Sequence, residues 1–152
     1  MNLDEKFMEL ALKEAKKAGV KGEVPVGCVI VIDGKVIARG HNLRESKNDP
    51  SGHAEIIALR GAGKKLKTWR LDKAVAYVTC EPCPMCAGAL VLARVKRVVY
   101  GCADGKAGAV ETLYRIGRDQ RLNHTFEVKA GVREKECQEL LSKFFKKLRD
   151  KL

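Results

Sequence analysis

Residues 74–100, AVAYVTCEPCPMCAGALVLARVKRVVY, decide how this chain folds. Residues 74–79 and 95–100 are short apolar runs, each typical of a buried strand. Between them, residues 84–92 predict a helix with proline in its first turn, where the missing N–H costs nothing. A strand, a helix and a strand in this order predict a parallel pair joined by a right-handed crossover. We therefore predict an α/β fold with helices on both faces of a sheet.

The hydrophobic spacing predicts further elements on both sides of this unit. A helix with Gly19 as its stop, a hairpin turning at Asp33-Gly34 and a second helix are expected before it, at residues 3–18, 24–39 and 54–62. A short helix, an edge strand and an amphipathic last helix are expected after it, at residues 110–116, 126–129 and 133–150. Since no repeat, low-complexity tract or Gly/Ser linker interrupts the chain, residues 1–152 are expected to form one domain.

The composition limits which binding partners and which cellular compartment we expect. The formal net charge is +11, from 30 Lys and Arg against 19 Asp and Glu, which favours a polyanionic partner such as RNA, or else a merely solubilising surface. No run approaches the roughly 20 apolar residues of a membrane span, and the acidic N-terminus lacks the apolar region of a signal peptide. We therefore expect a cytoplasmic protein without a membrane partner, whose six cysteines stay reduced.

Two short motifs carry the chemistry: His53-Ala54-Glu55 and Pro82-Cys83-Pro84-Met85-Cys86. One imidazole and two thiolates are ligands that zinc prefers, and a zinc site with only three protein ligands keeps a position for water. Cys83 and Cys86 share one face of a helix start because they are three residues apart. Glu55 is placed to take a proton from that water and return it to a ring nitrogen and a leaving amine.

Other interpretations of these motifs stay open. A lone C-x-x-C is most often a structural zinc site or a redox pair, and Cys80 or Cys102 could supply a fourth ligand that closes the site. H-x-E followed by P-C-x-x-C is, however, the known signature of zinc-dependent nucleobase deaminases. We therefore expect hydrolytic deamination, with one Zn²⁺ per subunit.

The chain resembles the bacterial tRNA-specific adenosine deaminase family, within the cytidine deaminase superfamily. The resemblance rests on segments spread over almost the whole chain: Glu23–Gly27, Asn42, Asp49–Glu55, Glu81–Ala89, Arg97–Gly101, Leu122–His124 and Leu140–Phe145. It implies a three-layer sandwich around a five-stranded mixed sheet, and conversion of the wobble adenosine of a tRNA anticodon to inosine. It also implies a homodimer with each active site near the subunit interface, and no nucleotide cofactor.

The resemblance also implies the substrate contacts. Those expected at the base, at the sugar and backbone, and at the anticodon loop are Val26 and Asn42, Asp104 and Lys106, and His124, Phe145 and Arg149, respectively. The chain departs from the family pattern at Gly52, Cys80 and Cys102-Ala103, which bears on substrate preference and not on the reaction.

Some residues have a plainer interpretation. Asn42 could serve only its own turn, and Asp104 could be a solvated loop acid. The last helix has an apolar stripe that predicts docking on the core and a lysine-rich remainder that suits phosphates.

Two other functions fit parts of the sequence. A deaminase of a free base or nucleotide (guanine, cytosine or dCMP) would share the zinc motifs, but it needs no basic surface. A non-catalytic zinc-stabilised RNA-binding module would lack the glutamate that Glu55 provides.

Overall fold

The β-α-β unit that the central stretch predicts lies at the middle of a five-stranded sheet. The computed structural model describes residues 1–152. Its strands are β1 (Gly27–Ile32), β2 (Lys35–His41), β3 (Val75–Cys80), β4 (Arg97–Cys102) and β5 (Glu127–Lys129), and its helices are α1 (Leu3–Val20), α2 (Ala54–Leu66), α3 (Pro84–Leu92) and α4 (Glu134–Asp150). The strand order is β2-β1-β3-β4-β5. β1 is antiparallel to β2 and β3, whereas β3, β4 and β5 run parallel, so the sheet is mixed as expected.

Helices cover both faces of the sheet, which gives three layers. Alternate strand residues build two separate apolar clusters, because successive side chains of a strand point to opposite faces. Val78 and Val98 lie in the cluster under α2 and α3, and Tyr77 and Val99 lie in the cluster under α1 and α4. The predicted α/β class and the three-layer arrangement are confirmed.

Glycines let two helices approach the sheet closely. A Cβ on Gly27 would lie 2.0 Å from the carbonyl oxygen of Ala11 in α1, and one on Gly40 would lie 2.5 Å from that of Ala54 in α2. Any larger residue at either position would push a helix off the strand. The close packing places the first turn of α2 beside the carboxyl-end edge of the central strands.

A partly buried network of ion pairs and hydrogen bonds ties α1 to three strands. Asp4 accepts two hydrogen bonds from the Arg97 guanidinium, at 2.9 and 2.8 Å, and one from the hydroxyl of Tyr77 at 2.8 Å. Lys129 of β5 adds a contact at 3.2 Å. Bidentate pairs of this kind are the stronger ones, so Asp4 helps fix α1 across the sheet.

Several predicted boundaries are wrong. Gly19 does not stop the first helix, which runs to Val20, and the glycine that adopts a left-handed φ of 80° is Gly22. The first strand begins at Gly27 rather than at residue 24, because Pro25 has no N–H to pair. Residues 110–112 form a turn and residues 113–115 are irregular, so the predicted helix at residues 110–116 is absent, and only a short 3-10 helix, Ile116–Arg118, follows. No helix of the structure combines the length and the apolar composition that a membrane span requires.

Candidate active site

The three predicted metal ligands meet where α2 and α3 begin. His53 and Cys83 are the residues that precede the first turn of each helix, and Cys86 lies in the first turn of α3. The Nδ1 atom of His53 is 3.6 Å from the Sγ of Cys83 and 3.5 Å from the Sγ of Cys86. The donor atoms lie within 4.8 Å of one another, and no fourth His, Cys, Asp or Glu atom joins them. Neither Cys80 nor Cys102 therefore closes the site.

This donor set fits a zinc ion. Neither His53 nor Cys83 uses its side chain to cap its helix, so both donors are free. The Cys86 thiol, and after it the His53 ring, lowers the pKa of Cys83 to about 4, while the Cys83 thiol and burial raise the pKa of Cys86. The pair thus holds one thiolate, the form that binds metal. The positive ends of two helices stabilise that negative charge. Two sulfurs and one imidazole nitrogen are the ligands of a zinc site with one open position.

Glu55 lies beside this cluster, one residue into α2. Its side chain is buried, and it lines the same cleft as His53 and Cys83. Burial raises the pKa of Glu55 to about 7. A carboxyl group with such a pKa can both accept and release a proton near neutral pH.

A cleft of about 270 Å³ opens over Glu55 and the donor cluster. Its size lies just below the range of roughly 300–1,000 Å³ typical of drug-sized ligands, which suits one flat ring. Val24 and Val26 form an apolar side, two loops form the walls, and Phe145 of α4 reaches the rim. The cleft therefore combines an apolar slot with a few polar groups.

Four of the predicted substrate residues line this cleft: Val26, Asn42, Asp104 and Phe145. Lys106 is exposed on the loop that carries Asp104, and Arg149 is exposed on α4 four residues after Phe145, hence on the same helix face. Asp104 also accepts the backbone N–H groups of residues 106 and 107, as a turn residue does.

Asn42 serves a turn and faces the cleft. Its side-chain amide donates to the carbonyl oxygen of Val24 at 3.3 Å, and its oxygen accepts the N–H of Arg44 at 3.1 Å. The turn role suggested by the sequence is therefore present. These two contacts also hold the Asn42 side chain in one orientation at the cleft wall.

The structure places His124 away from the cleft. Its Nε2 atom lies 2.7 Å from the carbonyl oxygen of Val95, before β4 begins. The cleft opens at the other end of β3 and β4, where Cys80 lies. Within one copy of the chain, His124 is therefore separated from the other predicted contacts.

Glu81 is a structural centre of the site that the sequence analysis did not single out. Its buried carboxylate accepts the N–H groups of Asp104, Val110, Glu111 and Thr112 at 2.8–3.2 Å, and also the Thr112 hydroxyl. Burial alone would raise its pKa, but these hydrogen bonds outweigh that effect and lower it. The N–H groups of Leu113 and Ile116 donate to the carbonyl oxygens of Gly108 and Ala109 rather than to residues four positions earlier, so this segment wraps around Glu81 and does not form the predicted helix.

Glu23 holds the loop that forms the other wall of the cleft in the same way. Its carboxylate is fully buried and accepts the N–H groups of Glu45 and Ser46 at 3.0 and 2.6 Å. Burial opposes ionisation, yet the hydrogen bonds lower the pKa of Glu23. Each loop that walls the cleft is thus fastened by one buried carboxylate. In the sequence, the only sign of these two buried carboxylates is that Glu23 and Glu81 each stand directly before an apolar segment that contains proline.

Known proteins are similar to this chain in sequence and in fold. The cytidine and deoxycytidylate deaminase zinc-binding region matches residues 1–102. The tRNA-specific adenosine deaminase of Bacillus subtilis is 54% identical over 151 residues, covering 99% of this chain and 94% of that protein. A structure from studies of A-to-I editing by tRNA:A34 deaminases has 47% identity and a TM-score of 0.87, covering 90% of this chain and 99% of that one. Guanine deaminase from B. subtilis has 37% identity and a TM-score of 0.64, covering 74% of this chain and 82% of that one.

The fold, the His-Cys-Cys cluster and the matched region define a zinc-binding deaminase domain of the cytidine and deoxycytidylate deaminase class. Within that class, the near full-length similarity to a tRNA-specific adenosine deaminase determines the family. The chain belongs to the family of tRNA-specific adenosine deaminases. The predicted resemblance is thereby confirmed.

Proposed function

We propose that this protein deaminates adenosine to inosine in RNA by hydrolysis, and that its substrate is the wobble adenosine of a tRNA anticodon. The observation that carries the proposal is one cleft that joins three metal donors to the buried carboxyl of Glu55. Relatives named as tRNA-specific adenosine deaminases support the choice of substrate. The residues proposed to hold zinc are His53, Cys83 and Cys86.

The proposed reaction replaces the amino group of the purine by oxygen. Bound zinc would supply the Lewis acidity that makes water nucleophilic at neutral pH. Glu55 accepts a proton from the attacking water and delivers it to the adjacent ring nitrogen. It then takes the remaining proton from the oxygen that has added to the ring and passes it to the amino group, the C–N bond breaks and ammonia leaves. The raised pKa of Glu55 matches a group that must gain and lose protons in turn.

The cleft residues are proposed to hold the flipped base and its neighbours. Val26 provides an apolar surface for the ring, and the oriented amide of Asn42 provides polar contacts at its edge. Lys106 and Arg149 are exposed on the loop and the helix that carry Asp104 and Phe145, where their positive charge is available to phosphates. Phe145 is 41% exposed beside the cleft, so its ring is free to stack on an unpaired base.

A free base remains the main alternative substrate, because a guanine deaminase shares the fold. The net charge of +11 favours RNA, since a small neutral ring gains little from a basic surface. The zinc-loaded protein should be incubated with an anticodon stem-loop RNA, guanine, cytosine and dCMP. We expect adenosine-to-inosine conversion in the RNA by sequencing. Ammonia release from the free compounds alone would refute the proposal.

We also propose that the protein is a homodimer of single-domain subunits that works in the cytoplasm. A second groove, separate from the active-site cleft, has a volume of about 540 Å³, lies between α2 and α3 and is lined largely by apolar side chains. On this surface Trp69 is 63% and Leu92 67% exposed, and exposed apolar patches of this kind mark protein interfaces. Leu92→Glu should shift the mass measured by light scattering from dimer to monomer, whereas Leu152→Glu at the exposed C-terminus should not. An unchanged mass for Leu92→Glu would contradict this use of the surface.

A further inference from the structure

Two cysteines outside the metal centre lie side by side at the edge of the sheet where the cleft opens. Cys80 ends β3 and Cys102 ends β4, and the two residues are direct partners in the parallel register. Neighbouring strands lie about 4.8 Å apart, and disulfides join Cα atoms roughly 4.4–6.8 Å apart. We propose that Cys80 and Cys102 are a reversible oxidation site, which a peroxide converts to a disulfide while the metal centre stays intact.

The surroundings of the pair give an oxidant access from one side. Cys80 is half-buried and lines the cleft. Cys102 is buried behind it, and its thiol lies 3.5 Å from the carbonyl oxygen of Thr79. A small peroxide that enters the cleft therefore meets Cys80, with Cys102 next to it. A partner cysteine beside an accessible one is the usual arrangement of redox-sensing thiols.

The two thiols also influence each other's ionisation. The neighbouring Cys80 thiol lowers the pKa of Cys102, and the neighbouring Cys102 thiol, with burial, raises that of Cys80. The thiolate of this pair therefore forms on Cys102, directly beside the accessible Cys80, and thiolate is the reactive form. This effect supports the proposal, which stands on the register and on the position of Cys80 in the cleft.

The oxidation balances with hydrogen peroxide as the only co-reactant. The Cys102 thiolate attacks one peroxide oxygen, the O–O bond breaks and the other oxygen leaves as water, so that the Cys102 sulfur becomes a sulfenic acid. The second thiol attacks that sulfur, the S–O bond breaks and a second water leaves. The two sulfurs lose two electrons to the peroxide, and both thiol protons end in water. A dithiol reductant reverses the change by thiol–disulfide exchange.

The other four cysteines are placed differently. Cys83 and Cys86 belong to the proposed metal centre, and Cys28 is fully buried in β1. Cys137 on α4 is the nearest competitor, because its Sγ would lie 2.3 Å from a Cβ built on Gly101. It comes from a helix and has no register partner in the sheet, which makes it a suitable control.

The test is a disulfide map of the zinc-loaded, full-length protein after exposure to hydrogen peroxide. Free thiols are alkylated, the chain is cut with trypsin without reduction, and the peptides are fragmented in a mass spectrometer. Trypsin places the two cysteines in different peptides, residues 74–94 and 98–106. We expect these peptides to be joined through Cys80 and Cys102, with a loss of two hydrogen atoms. Zinc content should be unchanged, and dithiothreitol should separate the peptides.

Variants make the result specific. Cys80→Ser and Cys102→Ser should each abolish the linked pair, whereas the control Cys137→Ala should retain it. Three results would overturn the proposal: alkylation of both Cys80 and Cys102 after peroxide treatment, a link of either one to Cys137, or a link that involves Cys83 and is accompanied by zinc loss. The map of the unaltered chain decides the question even if a variant fails to fold.

Discussion

Replacing Glu81 by alanine should loosen one wall of the cleft at a cost that the structure lets us assess. The substitution removes the acceptor of four backbone N–H groups. Val110 is fully buried, so its N–H would be left without any partner. Asp104 and Glu111 are half-buried, so each would lose part of this compensation, whereas water can reach the N–H of exposed Thr112. Each unsatisfied buried donor costs about 1–3 kcal/mol. We expect Glu81→Ala to lower the free energy of unfolding by about 2–6 kcal/mol, the cost of about two such donors.

Urea denaturation measures this cost, and hydrogen exchange locates it. Amides of residues 103–112 should lose protection while those of β1 keep it, because only that loop depends on Glu81. Glu81→Gln should cost less than the alanine variant, since the amide oxygen still accepts some of the N–H groups. Glu127→Ala is the matched control, because the Glu127 side chain is exposed and makes no hydrogen bond. A loss below about 1 kcal/mol for Glu81→Ala, which is the scale of ordinary surface substitutions, would refute this account of the loop.

Four further outcomes follow from the structure. Glu55→Ala should abolish ammonia release and leave zinc content, measured by atomic emission, unchanged; surviving turnover would disprove the proton-transfer role. Gly108→Ala should lower the melting temperature, because its Cβ would lie within 2.4 Å of the Glu81 carboxylate; an unchanged melting temperature would contradict that contact. Asp4→Asn should remove a part of the stability that depends on pH. The ion pair with Arg97 lowers the pKa of Asp4 below 3.8, so the pair contributes to the free energy of unfolding above about pH 4, and this contribution is lost as pH falls further. Denaturation midpoints at pH 7 and pH 3 should therefore converge in the variant, and an equal drop in both proteins would count against the pair. Arg149→Ala should weaken RNA binding and reduce the salt slope by about one phosphate contact, and an unaltered slope would exclude that contact.

The β-α-β centre could be predicted because its determinants are local. Apolar runs on both sides of Pro84–Leu92 specify two buried strands and a helix, and the helix bounds match those observed. The same holds for Cys83 and Cys86, whose three-residue spacing at a helix start directs both sulfurs to one point. His53 and Glu55 were found through a known motif rather than through geometry.

The tertiary structure alone decided which distant groups meet. It brought the His53 ring within 3.6 Å of a cysteine 30 residues away, and it paired Cys80 with Cys102 across two strands. It also turned residues 110–112 from a predicted helix into a loop that surrounds Glu81. Spacing along the chain determines periodic structure, because backbone hydrogen bonds within a helix join near neighbours. A buried carboxylate that satisfies N–H groups about 30 residues away leaves no periodic trace, so only the folded chain shows which backbone it holds.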